Sequence, residues 1–303
     1  MRKKHKAIRV FVTEGCNANC NNCFNHSIRT KKELSTSEFE ALCVYLTNSG
    51  FTSLKMMGGE PTYHSNFEKI YRIAQDNFKN VALFTNALND KILNINPRGK
   101  DCIIYNMNFS DMLTQEKVLS EKQGKRTMKF QITPETDVVR TVDSILFWRR
   151  IDARLKPSFT FDCTTNIFDE KKVLISKIVA FEKKLDELDI PYGFDHRVPL
   201  CFLLGCKDKM SYPGGSCRAE TAGLIDAGLN LRYCNQHHDV IVRMLNENNE
   251  YIDWEIIKNH LLKYYYQQQI RILNGECINC KLFGDFCNGG CWGEKNSLSV
   301  TPQ

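Results

Sequence analysis

The chain has 303 residues, 42% of them hydrophobic and 25% charged, which suffices for one large domain or a large and a small one with an ample core. A net charge of +6 with bases and acids interleaved gives no basic patch for nucleic acid, and no apolar stretch approaches the ~20 residues needed to cross a membrane. The basic start, Met1 to Lys6, lacks the apolar run of a signal peptide, so a cytoplasmic protein is expected, in which 14 cysteines point to metal sites over disulfides.

Strand-like and helix-like segments alternate through the first two-thirds of the sequence. Ile8–Val12 reads as a strand, and Ser35-x-x-Glu38 is a capping-box signature opening a helix to about Ser49. Leu54–Met57 is the second strand, and Ser65-x-x-Glu68 reads as another helix start, running to about Phe78. Strands are expected at Val81–Thr85 and Ile103–Phe109, then a helix near Met112–Glu121 and a strand at Met128–Ile132. Pro134 reads as the start of a helix with Val138, Val142, Ile145 and Leu146 on one face. Phe159–Thr164 is the sixth strand, followed by an amphipathic helix from about Glu170 to Leu188. Parallel strands need crossover connections, so six such units predict an α/β fold with a parallel sheet and outer helices over residues 1–195.

The later strands alternate. Lys129, Gln131 and Thr133 oppose Met128, Phe130 and Ile132, and Thr160, Asp162 and Thr164 oppose Phe159, Phe161 and Cys163. A parallel strand with two dry faces would be apolar throughout, so the apolar faces are expected under the helices and the polar faces toward an interior lumen, a solvent-exposed sheet face being the plainer alternative. Asp162 and Lys129, charged groups on that inferred face, are the candidate substrate contacts.

Three cysteines near the start, Cys16, Cys20 and Cys23, are spaced C-x3-C-x2-C. Three thiolates within eight residues can hold three irons of a [4Fe-4S] cube and leave the fourth open to a small molecule. A zinc knuckle is the plainer alternative, with His26 the one neighbour able to complete four ligands. After the apolar run Leu54 to Met57 comes Gly58-Gly59-Glu60-Pro61, which by itself reads as a tight turn entering a helix.

Together, the cysteine loop after one strand and G-G-E-P at the end of the next resemble the radical S-adenosylmethionine (SAM) superfamily. The resemblance implies a partial (β/α)6 barrel and a cluster on Cys16, Cys20 and Cys23 whose unique iron chelates SAM. Gly58 and Gly59 would let the backbone approach the methionyl end, and Glu60 would accept from its ammonium group. Phe84-Thr85-Asn86-Ala87 is similar to the T-N-G segment that lies near SAM, with Ala87 in place of glycine, and Ser110 falls at a polar SAM contact. Asn22 stands where an aromatic residue usually packs near adenine, and Phe24 is the nearest ring.

Cysteines return over residues 196–303, which read as a small Cys-rich second domain. Cys217 and Cys234 flank a turn at Ala227-Gly228, and Cys277-x2-Cys280-x6-Cys287-x3-Cys291 follows. This resembles the SPASM or twitch extension, which carries one or two auxiliary [4Fe-4S] clusters. The SPASM pattern implies one cluster on Cys217, Cys234, Cys291 and an upstream cysteine, for which Cys206 stands first and Cys201 behind it. Cys277, Cys280 and Cys287 would hold a second, but no cysteine follows Cys291 to complete it. The single-cluster twitch set would be Cys217, Cys234, Cys277 and Cys280, and a structural zinc site is the non-cluster alternative. Cys43, Cys102 and Cys163 read as packed core thiols, and His237-His238 as surface. Trp254, Ile257, Leu261 and Tyr264 or Tyr265 recur at helical spacing between Asp253 and Asn274.

The resemblance implies reductive cleavage of SAM to a 5′-deoxyadenosyl radical, with the electron coming from a flavodoxin- or ferredoxin-type donor. SPASM enzymes commonly modify peptides, so a peptide maturase is the expected activity, with a small-molecule oxidoreductase such as an aminosugar alcohol dehydrogenase as the alternative. A non-catalytic iron–sulfur or zinc scaffold would need neither G-G-E-P nor an open three-cysteine site.

Overall fold

The computed structural model describes residues 6–20, 23–25, 30–107, 120, 125–161, 167–194, 198–203, 223–234, 237–271, 277, 279–281 and 287. In chain order the strands and α-helices are β1 (Ala7–Thr13), α1 (Thr36–Asn48), β2 (Ser53–Gly58), α2 (Phe67–Asn77), β3 (Asn80–Thr85), β4 (Cys102–Asn106), β5 (Lys125–Ile132), α3 (Val138–Ile151), β6 (Lys156–Phe161), α4 (Lys171–Glu187), β7 (Gly193–Phe194), β8 (Leu224–Ile225), β9 (Asn230–Cys234), β10 (His237–Arg243) and α5 (Trp254–Arg271). The fold class is α/β with mostly parallel strands. Two compact units are present, Met1–Arg126 with Arg218–Tyr266, and Thr127–Cys217 with Gln267–Gln303.

In the first unit β1, β2, β3 and β4 pair in parallel, each strand beside the next. The last five residues of β1 include four of the β-branched or aromatic type and are almost wholly buried, as befits an inner parallel strand. Helix α1 opens on a complete capping box: the Glu38 amide donates to Ser35 Oγ at 3.2 Å and the Ser35 amide to Glu38 Oε2 at 2.8 Å. Its buried residues, Phe39, Leu42, Cys43 and Leu46, follow the helical repeat. The second expected box does not form. Ser65 is drawn away, its amide and hydroxyl both donating to Glu33, so Asn66 enters α2 without a side-chain cap.

A segment expected to lie in the second domain extends this unit's sheet. Strand β8 pairs in parallel with β1, and β9 and β10 follow as antiparallel neighbours. Helix α5 buries Trp254, Ile257 and Leu261, as its spacing predicts. The Trp254 ring meets Phe51 edge-on at 4.7 Å, and Lys6 Nζ lies 4.1 Å from the centroid of Phe51. Tyr45 on α1 donates to the Ile252 carbonyl at 2.7 Å and stacks on Tyr251, fastening the late segment to the early one. These ties join residues about two hundred positions apart, which no local pattern announces.

In the second unit β5, β6 and β7 run parallel. The expected alternation holds in β5: Met128, Phe130 and Ile132 are buried while Thr127, Lys129 and Gln131 are half-exposed. Phe130 lies beside Phe159, and Phe159 packs 4.8 Å from Phe181 of α4. The apolar face therefore sits under the helix, and Lys129 and Gln131 occupy the opposite face. Boundaries shift from expectation. Helix α3 starts at Val138 and not at Pro134, because Asp137 caps it by accepting from the Arg140 amide at 3.0 Å. Strand β6 starts at Lys156, earlier than Phe159, because its pairing with β5 already begins there. The helix expected near Met112–Glu121 lies outside the described residues except at Ser120, and Asp162 and Cys163 lie outside them too.

Candidate functional site

The loop carrying Cys16, Cys20 and Cys23 leaves the end of β1 and is closed at its base. The Glu14 amide donates to the Lys32 carbonyl at 2.8 Å and the Leu34 amide to the Val12 carbonyl at 3.0 Å, so the chain returns antiparallel to the strand it left. Thr30 also donates to the Glu14 carboxylate. All three thiols are half-buried, and the Ala18 amide donates to Cys16 Sγ at 3.4 Å. The Phe24 and Phe11 ring centroids lie 6.4 Å apart, which anchors the loop's far end over β1.

The glycines of G-G-E-P serve this loop directly. The Gly59 amide donates to the Thr13 carbonyl and the Glu60 amide to the Gly15 carbonyl, each at 2.9 Å. A Cβ on Gly58 would stand 2.2 Å from the Thr13 oxygen, and one on Gly59 would stand 2.3 Å from that of Gly15. No side chain fits there. Glycine is needed because one backbone lies against another, a reason that operates before any ligand binds.

Glu60 is 1% exposed and accepts from four protein donors. Oε1 takes the Thr62 amide (3.1 Å), the Thr62 hydroxyl (2.7 Å) and the Thr85 hydroxyl (2.8 Å), while Oε2 takes the Asn86 amide (2.7 Å). Burial pushes its carboxyl up, and these donors offset only part of that rise. Spare acceptor capacity is left on Oε2. Asn86 in turn donates through Nδ2 to Asn17 Oδ1 at 2.8 Å, so a chain of bonds runs from G-G-E-P through T-N to the cysteine loop. Ala87 adopts φ +56°, the left-handed conformation that accounts for glycine being usual at this point of the T-N-G segment.

Thr62 and Asn17, two of the partners just named, carry no motif and were not singled out from the sequence. His238, expected on the surface, is half-buried on β10; burial pushes its pKa down, while a bond to the Phe24 backbone opposes this. It braces the loop one residue after Cys23. Asn25, also in the loop, is 4% exposed, and its Oδ1 has no hydrogen-bond partner among the described residues. A buried acceptor without a donor among the described residues, two positions after Cys23, suits a loop built around a polar group. Three thiols, an amide aimed at sulfur and this orphaned oxygen fit an iron–sulfur cluster with a polar ligand.

The other expected site residues fall elsewhere. Ser110, Asp162, Cys206, Cys217 and Cys291 lie outside the described residues. Cys234 is half-buried in the first unit, close enough to Tyr264 of α5 to raise that phenol's pKa alongside burial and a bond to Asp239. Cys277, Cys280 and Cys287 belong to the second unit, with Cys277 and Cys287 buried. Cys43 is a sealed core thiol whose pKa burial pushes up, whereas Cys102 is half-exposed. Among the described residues no helix is long and apolar enough to cross a membrane.

Comparison with known proteins agrees with this geometry. Residues 10–108, spanning the cysteine loop, G-G-E-P and T-N segments, match the family model of the radical SAM superfamily. The mitochondrial GTP 3′,8-cyclase of Arabidopsis thaliana is 30% identical over 135 residues, 41% of this chain and 34% of that protein. A probable GTP 3′,8-cyclase of Methanothermobacter thermautotrophicus is 28% identical over 138 residues, 44% of each. The matches thus span between a third and a half of these relatives. Among solved structures, anSMEcpe with bound AdoMet and Cp18Cys peptide aligns over 97% of this chain and 91% of its own, with a TM-score of 0.66 at 16% identity. Streptococcus suis SuiB bound to precursor peptide SuiA aligns over 95% and 72%, at 0.64 and 15%. BtrN in complex with AdoMet and 2-DOIA covers 93% and 94%, at 0.50 and 12%. At such identities the likeness shows the fold, a mostly parallel α/β arrangement matching the radical SAM partial barrel. The cysteine loop and the glycine shelf that holds it both fall within residues 10–108, the stretch that matches the radical SAM superfamily model.

Proposed function

We propose that the protein is a radical SAM enzyme acting on a peptide, with Cys16, Cys20 and Cys23 holding a [4Fe-4S] cluster and SAM bound at its open iron. The observation that carries the enzyme reading is the bond network from Glu60 through Asn86 to Asn17, which ties three separate segments around one thiol loop. When bound, cluster and SAM supply reductive cleavage to a 5′-deoxyadenosyl radical that takes hydrogen from the substrate. A flavodoxin- or ferredoxin-type protein would deliver the electron.

The chain's own residues bind and orient. Gly58 and Gly59 let the cysteine loop lie flat on the end of β2, and Glu60 fixes T-N against it. The remaining acceptor capacity of Oε2 suits the SAM ammonium group, and Asn25 Oδ1 offers a second acceptor in the loop. Phe24, already placed over Phe11, is the ring nearest to hand for adenine, and Ser110 would add a polar contact. Lys129, on the face of β5 away from the helix layer, and Asp162 are the proposed substrate contacts.

The peptide reading draws support from anSMEcpe and SuiB, whose structures hold peptides and align over nearly all of this chain. A small-molecule substrate is the second reading, favoured by the GTP 3′,8-cyclase relatives and by BtrN. Anaerobic incubation with SAM and reductant should release 5′-deoxyadenosine. A peptide encoded beside this chain should accelerate that release and change mass. Acceleration by GTP or an aminosugar alcohol instead would overturn the peptide reading, and no 5′-deoxyadenosine under any condition would overturn the enzyme reading.

A further inference from the structure

The SPASM pattern leaves Cys277, Cys280 and Cys287 without a cysteine after Cys291 to close a set of four. In the second unit a fourth thiol, Cys201, stands near two of them. Leu200–Phe202 forms a single 3-10 turn entered through Pro199. The amide of Leu200 donates to Cys287 Sγ at 3.4 Å across 87 positions of sequence. Cys287 thus lies against the residue that precedes Cys201. The Cys280 amide donates to the Cys277 carbonyl at 3.2 Å, closing the C-x2-C segment into a turn. Cys277 and Cys287 are buried, while Cys201 and Cys280 are half-buried.

Proximity supports the same grouping. Cys287 and Cys277 both lie near enough to Cys201 to interact with it electrostatically, and Lys171 at the start of α4 donates a hydrogen bond to its sulfur. Among the described residues no three Cys, His, Asp or Glu side chains are gathered to hold a single metal ion. A cube makes no such demand, since each of its four thiolates binds a different iron.

We propose that Cys201 is the fourth protein ligand of an auxiliary [4Fe-4S] cluster held by Cys277, Cys280 and Cys287, in place of the cysteine that the SPASM pattern puts beyond the C-x3-C pair. This rests on the reading that the late cysteines hold iron–sulfur, and adds that this cluster is closed. A closed cluster has no open iron on which to anchor a substrate. Lys171, donating to the Cys201 sulfur, partly neutralises it.

The test uses the full chain with Cys16, Cys20 and Cys23 all replaced by Ala, so that any iron belongs to auxiliary sites. After anaerobic reconstitution this parent should bind about four or eight irons, and Cys201→Ala should lose about four of them or convert a [4Fe-4S] signal to a [3Fe-4S] one in EPR. Cys201→Ser, which keeps the shape and an oxygen ligand, should retain the cluster with altered EPR g-values. Cys102→Ala, the thiol-loss control, should keep the parent's iron. If Cys201→Ala is folded by circular dichroism and keeps the parent's iron count and spectrum, Cys201 is not a ligand. If the parent itself binds zinc or no iron, the auxiliary-cluster reading fails, and this assignment with it.

Discussion

The two thiol groups of the protein are assembled by different means. Cys16, Cys20 and Cys23 lie within eight residues, on a loop whose backbone is bonded to the end of β2 through Gly59 and Glu60. Cys287 instead meets the turn containing Cys201 across 87 positions, through an amide-to-sulfur bond, with two buried thiols in the group. A local set needs little chain entropy to gather and can be held by backbone pairing alone. A remote set must close long loops first, so a bound cluster contributes more to its integrity. The first group should therefore be shaped before any cluster binds, and the second should depend on one.

The sharpest way to break the first half of that comparison is Gly59→Ala. Its Cβ would sit 2.3 Å from the Gly15 oxygen and 2.6 Å from that of Glu14, so the loop must move. A displacement of about an ångström at reacting groups costs roughly 100-fold in rate, and that loss is expected in 5′-deoxyadenosine formation with the second thiol group's iron unaffected. A variant with full activity would show that the shelf is not what shapes the loop.

Glu60→Ala should be next in size. It strips the acceptor from two backbone amides and two hydroxyls in a buried setting. Leaving such donors unpaired costs about 3 kcal/mol or more in total, readable from urea denaturation of the iron-free protein. Glu60→Gln should recover part of this, because Oε1 can keep its three donors while the new amide faces the Asn86 N–H.

Removing iron by chelation tests the contrast itself. Amide exchange at Leu200 and Cys280 should quicken by tenfold or more, about 1.4 kcal/mol of local opening, while Gly59 and Glu60 stay protected by their bonds to Thr13 and Gly15. Equal loss of protection at both places would erase the distinction. The smallest effect belongs to Ala87→Gly. Relief of the left-handed backbone at φ +56° is opposed by a freer unfolded chain, so the melting free energy should change by less than about 1 kcal/mol. A large loss would mean that the Ala87 methyl has a packing role greater than its backbone strain.

Much of the site nearest the N-terminus was legible in the amino-acid sequence, because its information is local. The cysteine spacing, G-G-E-P after a strand and the Ser35 capping box each act over a few neighbours, and the structure places them accordingly. The Ser65 box was legible too, and misleading: a distant carboxylate, Glu33, competed successfully for the same serine. Nor did the sequence reveal that Gly58 and Gly59 answer to the backbone of the cysteine loop, since that depends on the register of β1 with β2.

By itself, then, the sequence determined the α/β alternation, the thiol loop and the motifs that match the radical SAM superfamily over residues 10–108. Tertiary structure alone decided that β8 joins β1, that His238 braces Phe24, and that the turn carrying Cys201 lies against Cys287. The reason is physical. Periodicity and motif spacing report forces between residues a turn or a loop apart, whereas strand registry and thiol grouping are set by packing between segments that sequence order leaves far from one another.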